Sequence, residues 1–282
     1  MYEATFEADS GAAFLFGYSA GTVFDVDPLS GLDVTIGASQ GFNQIGETVT
    51  GMSVKGVKRK ISGVIFDRKN DTQIARRMQK ALTAFTRGRL YVGDRFCEAV
   101  VQKTPEFIRE KSGMLTFALQ IFCPDPYWRD KKTQSKQIGG YYPAFSFPVD
   151  YTQHVFGTKA PSAFVNCINA GEADVAYKAT FTALAPVSNA GLIDVYTMDY
   201  IKVLDTIDVG EKITIGREEG HIIVRKQAQD GTQTDIFSKL DEDSTLFSLR
   251  PGDNVIKATA QEGEDELVVY VEYESAYIGV IV

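Results

Sequence analysis

The stretch FCPDPYWRD, Phe122 to Asp130, sets Pro124 and Pro126 on either side of Asp125, directly before Tyr127 and the only tryptophan of the chain, Trp128. Each proline lacks an amide hydrogen and biases the residue before it toward extended backbone, so Cys123 and Asp125 are held extended while any strand ladder ends. The text just upstream, LTFALQIF, alternates Leu115, Phe117, Leu119 and Ile121 with Thr116, Ala118, Gln120 and Phe122, the pattern of a strand with one face in a core. FCPDPYWRD is therefore read as the stiff exit of a β domain. Pro124, Pro126, Tyr127 and Trp128 are its structural anchor, because large aromatics supply much apolar burial.

Further upstream, Met1 to about Gly56 is rich in glycine and in short β-forming pieces (GTVFDV, LDVTIG, ETVTGMSV) with no helical period. KGVKRKISGVIFD follows, in which Lys55, Lys58, Arg59 and Lys60 lead into an apolar strand, a charged strand end of the kind that discourages edge pairing. Gly51 and Gly56 have the spacing of a phosphate loop, but Val57 stands where that motif needs lysine. One helix is predicted in NDTQIARRMQKALTAFTRGR: Asn70 or Asp71 caps it, Ile74, Met78, Leu82 and Phe85 share a face, and Gly88 ends it. Arg76, Arg77, Lys80 and Arg87 lie away from that face or toward the C-terminal end, where cations suit the helix dipole. RLYVGDRFCEAVV then reads as a hairpin turning on Gly93 and Asp94.

Downstream, RDKKTQSKQIGGYYP has the composition of a linker and places a domain boundary near residue 140, giving domains 1–140 and 141–282. The second is a series of short runs separated by turn residues, as in an antiparallel sandwich. In DVAYKATFTA, Val175, Tyr177, Ala179, Phe181 and Ala183 alternate with polar or small residues as a half-buried strand does. The fold expected is mainly β: an N-terminal β-rich domain with one α-helix, then an all-β sandwich.

A chain of 282 residues with 44% hydrophobic and 23% charged residues is globular. Its charge divides unevenly: residues 1–145 hold 19 Lys and Arg against 15 Asp and Glu, residues 146–282 hold 10 against 22, and the net is −8. The acidic second half argues against nucleic acid as a partner. Glu3, Glu7 and Asp9 replace the basic start of a secretory signal, and no stretch approaches the roughly 20 apolar residues of a membrane span; the apolar end AYIGVIV reads as a final strand. A soluble chain without membrane association is expected.

Chemistry is sparsely provided. Cys97, Cys123 and Cys167 are odd in number and lack CxxC spacing, so buried thiols are expected. The only imidazoles are His154 and His221, too few for a patterned catalytic triad. Acidic DEDSTLF (Asp241 to Asp243) and EGEDE (Glu262 to Glu266) match no EF-hand loop and read as solvated loops. Without Walker or GxGxxG motifs, no enzyme activity, cofactor or metal is expected.

The order of these features resembles the distal tail proteins of long-tailed bacteriophages and phage-derived tail particles. FCPDPYW is similar to that family's cysteine-proline-aromatic strand end; VNCINAGEADVAYKATFTA (Val165 to Ala183), YIKVLDTIDVGEKITIG (Tyr200 to Gly216) and LFSLRPGDNVIKATA (Leu246 to Ala260) resemble its second half. In the last, Pro251 and Gly252 make a tight turn before a strand from Val255. The resemblance implies a galectin-like second domain and a structural role without a catalytic site. Six copies would form a ring through their N-terminal domains, joining the tail tube protein to the tail-tip hub protein, with the second domains outward. It also implies a virion tail protein assembled in the host cytoplasm, with receptor-binding proteins or host cell-wall carbohydrate as further partners. Lys58, Arg59, Lys60, Arg76, Arg77 and Lys80 are the candidate ring interface. The alternative is a carbohydrate-binding adhesion module acting through the second domain.

Overall fold

In the computed structural model, Leu115, Phe117, Leu119, Ile121 and Cys123 are all buried and the residues between them half-buried, so the strand read from LTFALQIF spans Leu115–Cys123. The structure describes residues 2–143, 157–159, 163–218 and 220–281; His154 lies outside them. By its contacts the chain divides into two units, 1–132 with 276–282, and 133–275.

The first unit contains strands β1 (Ala4–Ala8), β2 (Ala13–Phe16), β3 (Thr22–Asp27), β4 (Val34–Ser39), β5 (Thr48–Val54), β6 (Val57–Ile65), β7 (Arg87–Val92), β8 (Arg95–Arg109), β9 (Leu115–Cys123) and β10 (Trp128–Asp130). Its large sheet runs β2-β1-β7-β8-β9-β6-β3, with β10 joined to β8. Gly93, at φ +59°, makes the tight turn between β7 and β8 that the sequence predicts. Helix α1 (Asp71–Ala81) lays Ile74, Ala75 and Met78 on a core that includes Phe6, Phe16, Ile61, Leu90 and Phe117. Each such large side chain contributes about 1.5–3 kcal/mol on burial.

Three expectations for this unit need correction. The helix stops at Ala81 rather than near Gly88, and Phe85, placed on its apolar face, is 88% exposed at φ +64°. The chain there is captured by the neighbouring strand: Phe85 N donates to Val101 O (3.3 Å) and Val101 N to Thr86 O (2.9 Å). Gly88 belongs to β7, where a Cβ would sit 2.1 Å from Glu7 O, so the close approach of β1 requires glycine. Neither Asn70 nor Asp71 caps the helix by its side chain; the Asp71 carboxylate accepts from Arg109 (2.8 Å) and Thr72 (2.9 Å) instead. Nor is β6 a guarded edge, since it is paired on both sides, Lys60 opposite Asp27 of β3 and Gln120 of β9.

The expected linker holds a strand, β11 (Gln134–Ile138), which pairs with Leu267–Tyr273. As an edge strand it tolerates polar side chains while Ile138 fills the core, which moves the boundary from 140/141 to 132/133. The C-terminal residues also change sides: Ala276–Tyr277 pairs with β10, Trp128 opposite Tyr277. Among the described residues the second unit is built on a six-stranded sheet (β11, Leu267–Tyr273, Tyr177–Ala183, Lys212–Glu218, His221–Gln227, Gln233–Asp235) and a four-stranded one (Phe164–Asn169, Gly252–Thr259, Gly191–Asp194, Tyr200–Lys202). Val175, Tyr177, Ala179, Phe181 and Ala183 are buried as the alternation predicts. Tyr273 Oη of the first sheet donates to Ile168 O of the second (3.2 Å), tying the sheets together.

Candidate subunit interface

FCPDPYWRD does anchor the first unit, through contacts its letters do not name. Pro124 is exposed, Pro126 and Trp128 are buried and Tyr127 is half-buried. Asp125 clamps the exit: its carboxylate accepts from Tyr127 N (3.1 Å) and from Arg129 Nε and Nη2 (3.0 and 2.6 Å). Trp128 Nε1 donates to Leu29 O (2.9 Å), and its ring lies 4.6 Å under the Arg59 guanidinium. Arg59 donates further to Pro28 O and to Pro126 O (3.0 Å) and is 0% exposed. It therefore presents no surface and leaves the set of interface candidates: strand alternation turns it inward with Val57 and Ile61, while Lys58 and Lys60 stay outside.

The remaining basic candidates are exposed but form two groups. Lys58 and Lys60 leave the face of the sheet opposite the core, whereas Arg76, Arg77 and Lys80 lie on the solvent side of α1, whose other side closes the core. Along the sequence, residues 1–50 hold seven Asp and Glu and no Lys or Arg, while residues 51–100 hold twelve Lys and Arg against four Asp and Glu, but the sheet brings the two together at Asp27 and Lys60. Asp25 and Asp27 are exposed on β3, an edge of the sheet.

A second surface went unrecognised in the sequence. Among the described residues β4 and β5 pair only with each other, and every residue in them is exposed. Their register sets Val34 opposite Val54 and Ile36 opposite Met52 on one face, and Thr35 opposite Ser53 on the other. At the tip Gln44 ties the loop, accepting from Gly41 N (2.9 Å) and donating to Thr48 Oγ1 (2.8 Å), while Phe42 is 99% exposed. An isolated two-stranded ribbon is marginal in water, and a contiguous exposed apolar face marks an interaction surface. The alternation of LDVTIG was visible, but it is the same whether the apolar face meets its own core or another chain.

His221 is exposed at the start of a strand after Gly220, as expected. Within the acidic loops, Asp241 accepts from Tyr200 Oη (2.9 Å) and Glu264 from Thr259 Oγ1 (3.2 Å). The residue that fixes the Pro251-Gly252 turn is Asn254, buried, with Nδ2 donating to Arg250 O (2.7 Å), Gly252 O (3.1 Å) and Cys167 O (3.2 Å), and Oδ1 accepting from Arg250 N (2.9 Å).

Residues 170–277 match the family model described as siphovirus-type tail component, C-terminal domain. In fold, the chain is similar to the crystal structure of the Dit protein of phage SPP1, described as a paradigm of the hub adsorption apparatus in phages infecting Gram-positive hosts: TM-score 0.65, 14% identity, 97% of this chain and 98% of that one covered. It is also similar to a chain of the phage P2 baseplate in its activated conformation with Ca, at TM-score 0.51 and 10% identity over 99% of both chains. No curated protein matches it by sequence. The resemblance to distal tail proteins is thus found in the family match of the second half and in the fold of the whole chain.

Proposed function

We propose that this chain is a structural, non-catalytic component of a phage tail tip or baseplate, six copies of which close into a ring between the tail tube and the tail-tip hub, with a galectin-like second unit. The observation that carries the ring is the apolar face of the β4–β5 ribbon, uncovered among the described residues: a neighbouring copy supplies the cover. A closed ring uses a heterologous interface, in which two different surfaces of each copy meet. Charge supports this reading at the helix, because the exposed cations Arg76, Arg77 and Lys80 of one copy suit an acidic surface on the next. Lys58 and Lys60, and separately Arg76, Arg77 and Lys80, each belong to contacts with a neighbouring copy. The site of action is the virion tail, after assembly in the host cytoplasm.

Negative-stain images of the purified chain at high concentration test the reading. Rings with a central hole are expected. Single particles only, even with tail tube protein added, would refute it.

A further inference from the structure

Cys123, which ends β9 ahead of the two prolines, has a neighbour far away in sequence. Its Sγ lies 3.6 Å from Cys97 Sγ in β8, and both residues are without solvent exposure. The sheet explains the meeting. β8 pairs with β9 as far as Val100 opposite Phe122, and is then taken over by β10, with Phe96 opposite Arg129. Between the two pairings the chain bends away at Pro124 and Pro126, and the two sulfurs face each other across the gap. The Arg59 cation stands over this site with two of its nitrogens spent on Pro28 O and Pro126 O, while its Nε, also buried, has no partner. The contact between the two sulfurs and the Arg59 charge lower the Cys123 thiol below its ordinary value, and the same contact, with burial, raises Cys97. One sulfur is thereby inclined to the thiolate and the other keeps its proton.

We infer that Cys97 and Cys123 are a latent disulfide site, oxidised by a small peroxide, which fastens β8 to the exit of β9. The Cys123 thiolate attacks one peroxide oxygen, the O–O bond breaks, and the departing hydroxide takes a proton to become water. Cys97 sulfur then attacks the resulting sulfenic sulfur, the S–O bond breaks, and the hydroxyl leaves as a second water with the Cys97 proton. Two electrons pass from the two sulfurs to the peroxide. The sulfurs must close from 3.6 Å to a bonded separation of about 2.05 Å, by rotation of both side chains. Burial restricts the reaction to a small oxidant and makes it wait on local opening. On the function proposed above, the chain is made in a reducing cytoplasm and released into an oxidising medium. The chemistry itself depends only on this chain. Cys167, buried and with its thiol pushed up to about 12 by burial, lacks this activation and is the internal control.

The test is to treat the reduced full-length chain with hydrogen peroxide, remove the peroxide, unfold and alkylate, and map the peptides by mass spectrometry. The expected product joins the peptides that carry Cys97 and Cys123 and leaves Cys167 alkylated. In Cys97→Ser, Cys123 is expected to stop at sulfenic or higher acids. Full alkylation of both cysteines in the wild-type chain, conversion of Cys123 to sulfinic acid without a disulfide, or preferential oxidation of Cys167 would each overturn the inference.

Discussion

The Arg59 guanidinium lies 4.6 Å from the centre of the Trp128 ring, with both side chains fully buried and each bound also to a backbone carbonyl. A buried cation without a carboxylate holds only where carbonyl oxygens and a ring face replace water around it. Arg59→Met leaves Pro28 O and Pro126 O unpaired and lowers the unfolding free energy by about 1–3 kcal/mol. Trp128→Ala costs about 3–5 kcal/mol. Because the two share one cluster, the double variant loses less than the two single losses combined, by at least about 0.5 kcal/mol. Urea unfolding of the four proteins measures this, and strict additivity would show that the stacking carries no energy.

Arg76 and Arg77 sit on the solvent side of α1 and leave its core face untouched. Arg76→Glu with Arg77→Glu therefore changes stability by no more than about 0.5 kcal/mol per site, while weakening ring assembly, most strongly at low salt where charge acts farthest. Assembly titrations at two ionic strengths check it. Unchanged assembly would remove the helix from the interface.

The Asp71 carboxyl is held below the usual carboxylate range by the hydrogen bond from Arg109 first, then by Thr72. A depressed folded pKa contributes stability that is present above the unfolded value of about 3.9 and lost as pH falls through the lower folded value. Asp71→Asn is thus less stable than wild type at neutral pH, and the gap narrows below about pH 4. Thermal midpoints across pH 2–7 give the comparison, and a gap that is flat with pH would deny the ion pair this role.

In the second unit, Asn254→Ala removes four hydrogen bonds at a buried position and leaves Arg250 O and Cys167 O short of a donor. A loss of about 2–3 kcal/mol is expected in chemical denaturation. A loss below about 0.5 kcal/mol would show that Pro251 and Gly252 hold the turn without it.

What could be read from sequence was set by period. LTFALQIF, DVAYKATFTA and the face of α1 declared themselves because local alternation and burial agree at those places. Arg59 was hidden in a run of cations, though the period of two already separates it from Lys58 and Lys60. The meeting of Cys97 with Cys123 and of Trp128 with Tyr277 depends on long-range pairing that no window of sequence contains. RDKKTQSKQI looked like a linker because an edge strand needs few apolar residues. For the β4–β5 ribbon the pattern was legible and its partner was not, since one exposed face and one buried face spell the same alternation.

The most direct measurement is the native mass by light scattering of the wild-type chain beside the variant Ile36→Ser with Met52→Glu, at equal high concentration. These two side chains face each other on the exposed ribbon, so the variant keeps the fold of the monomer. The account predicts a wild-type mass near six times the 31.0 kDa of the chain and a monomeric variant with an unchanged thermal midpoint. A wild-type chain that stays monomeric even with tail tube protein added, or a variant that assembles equally well, would contradict it.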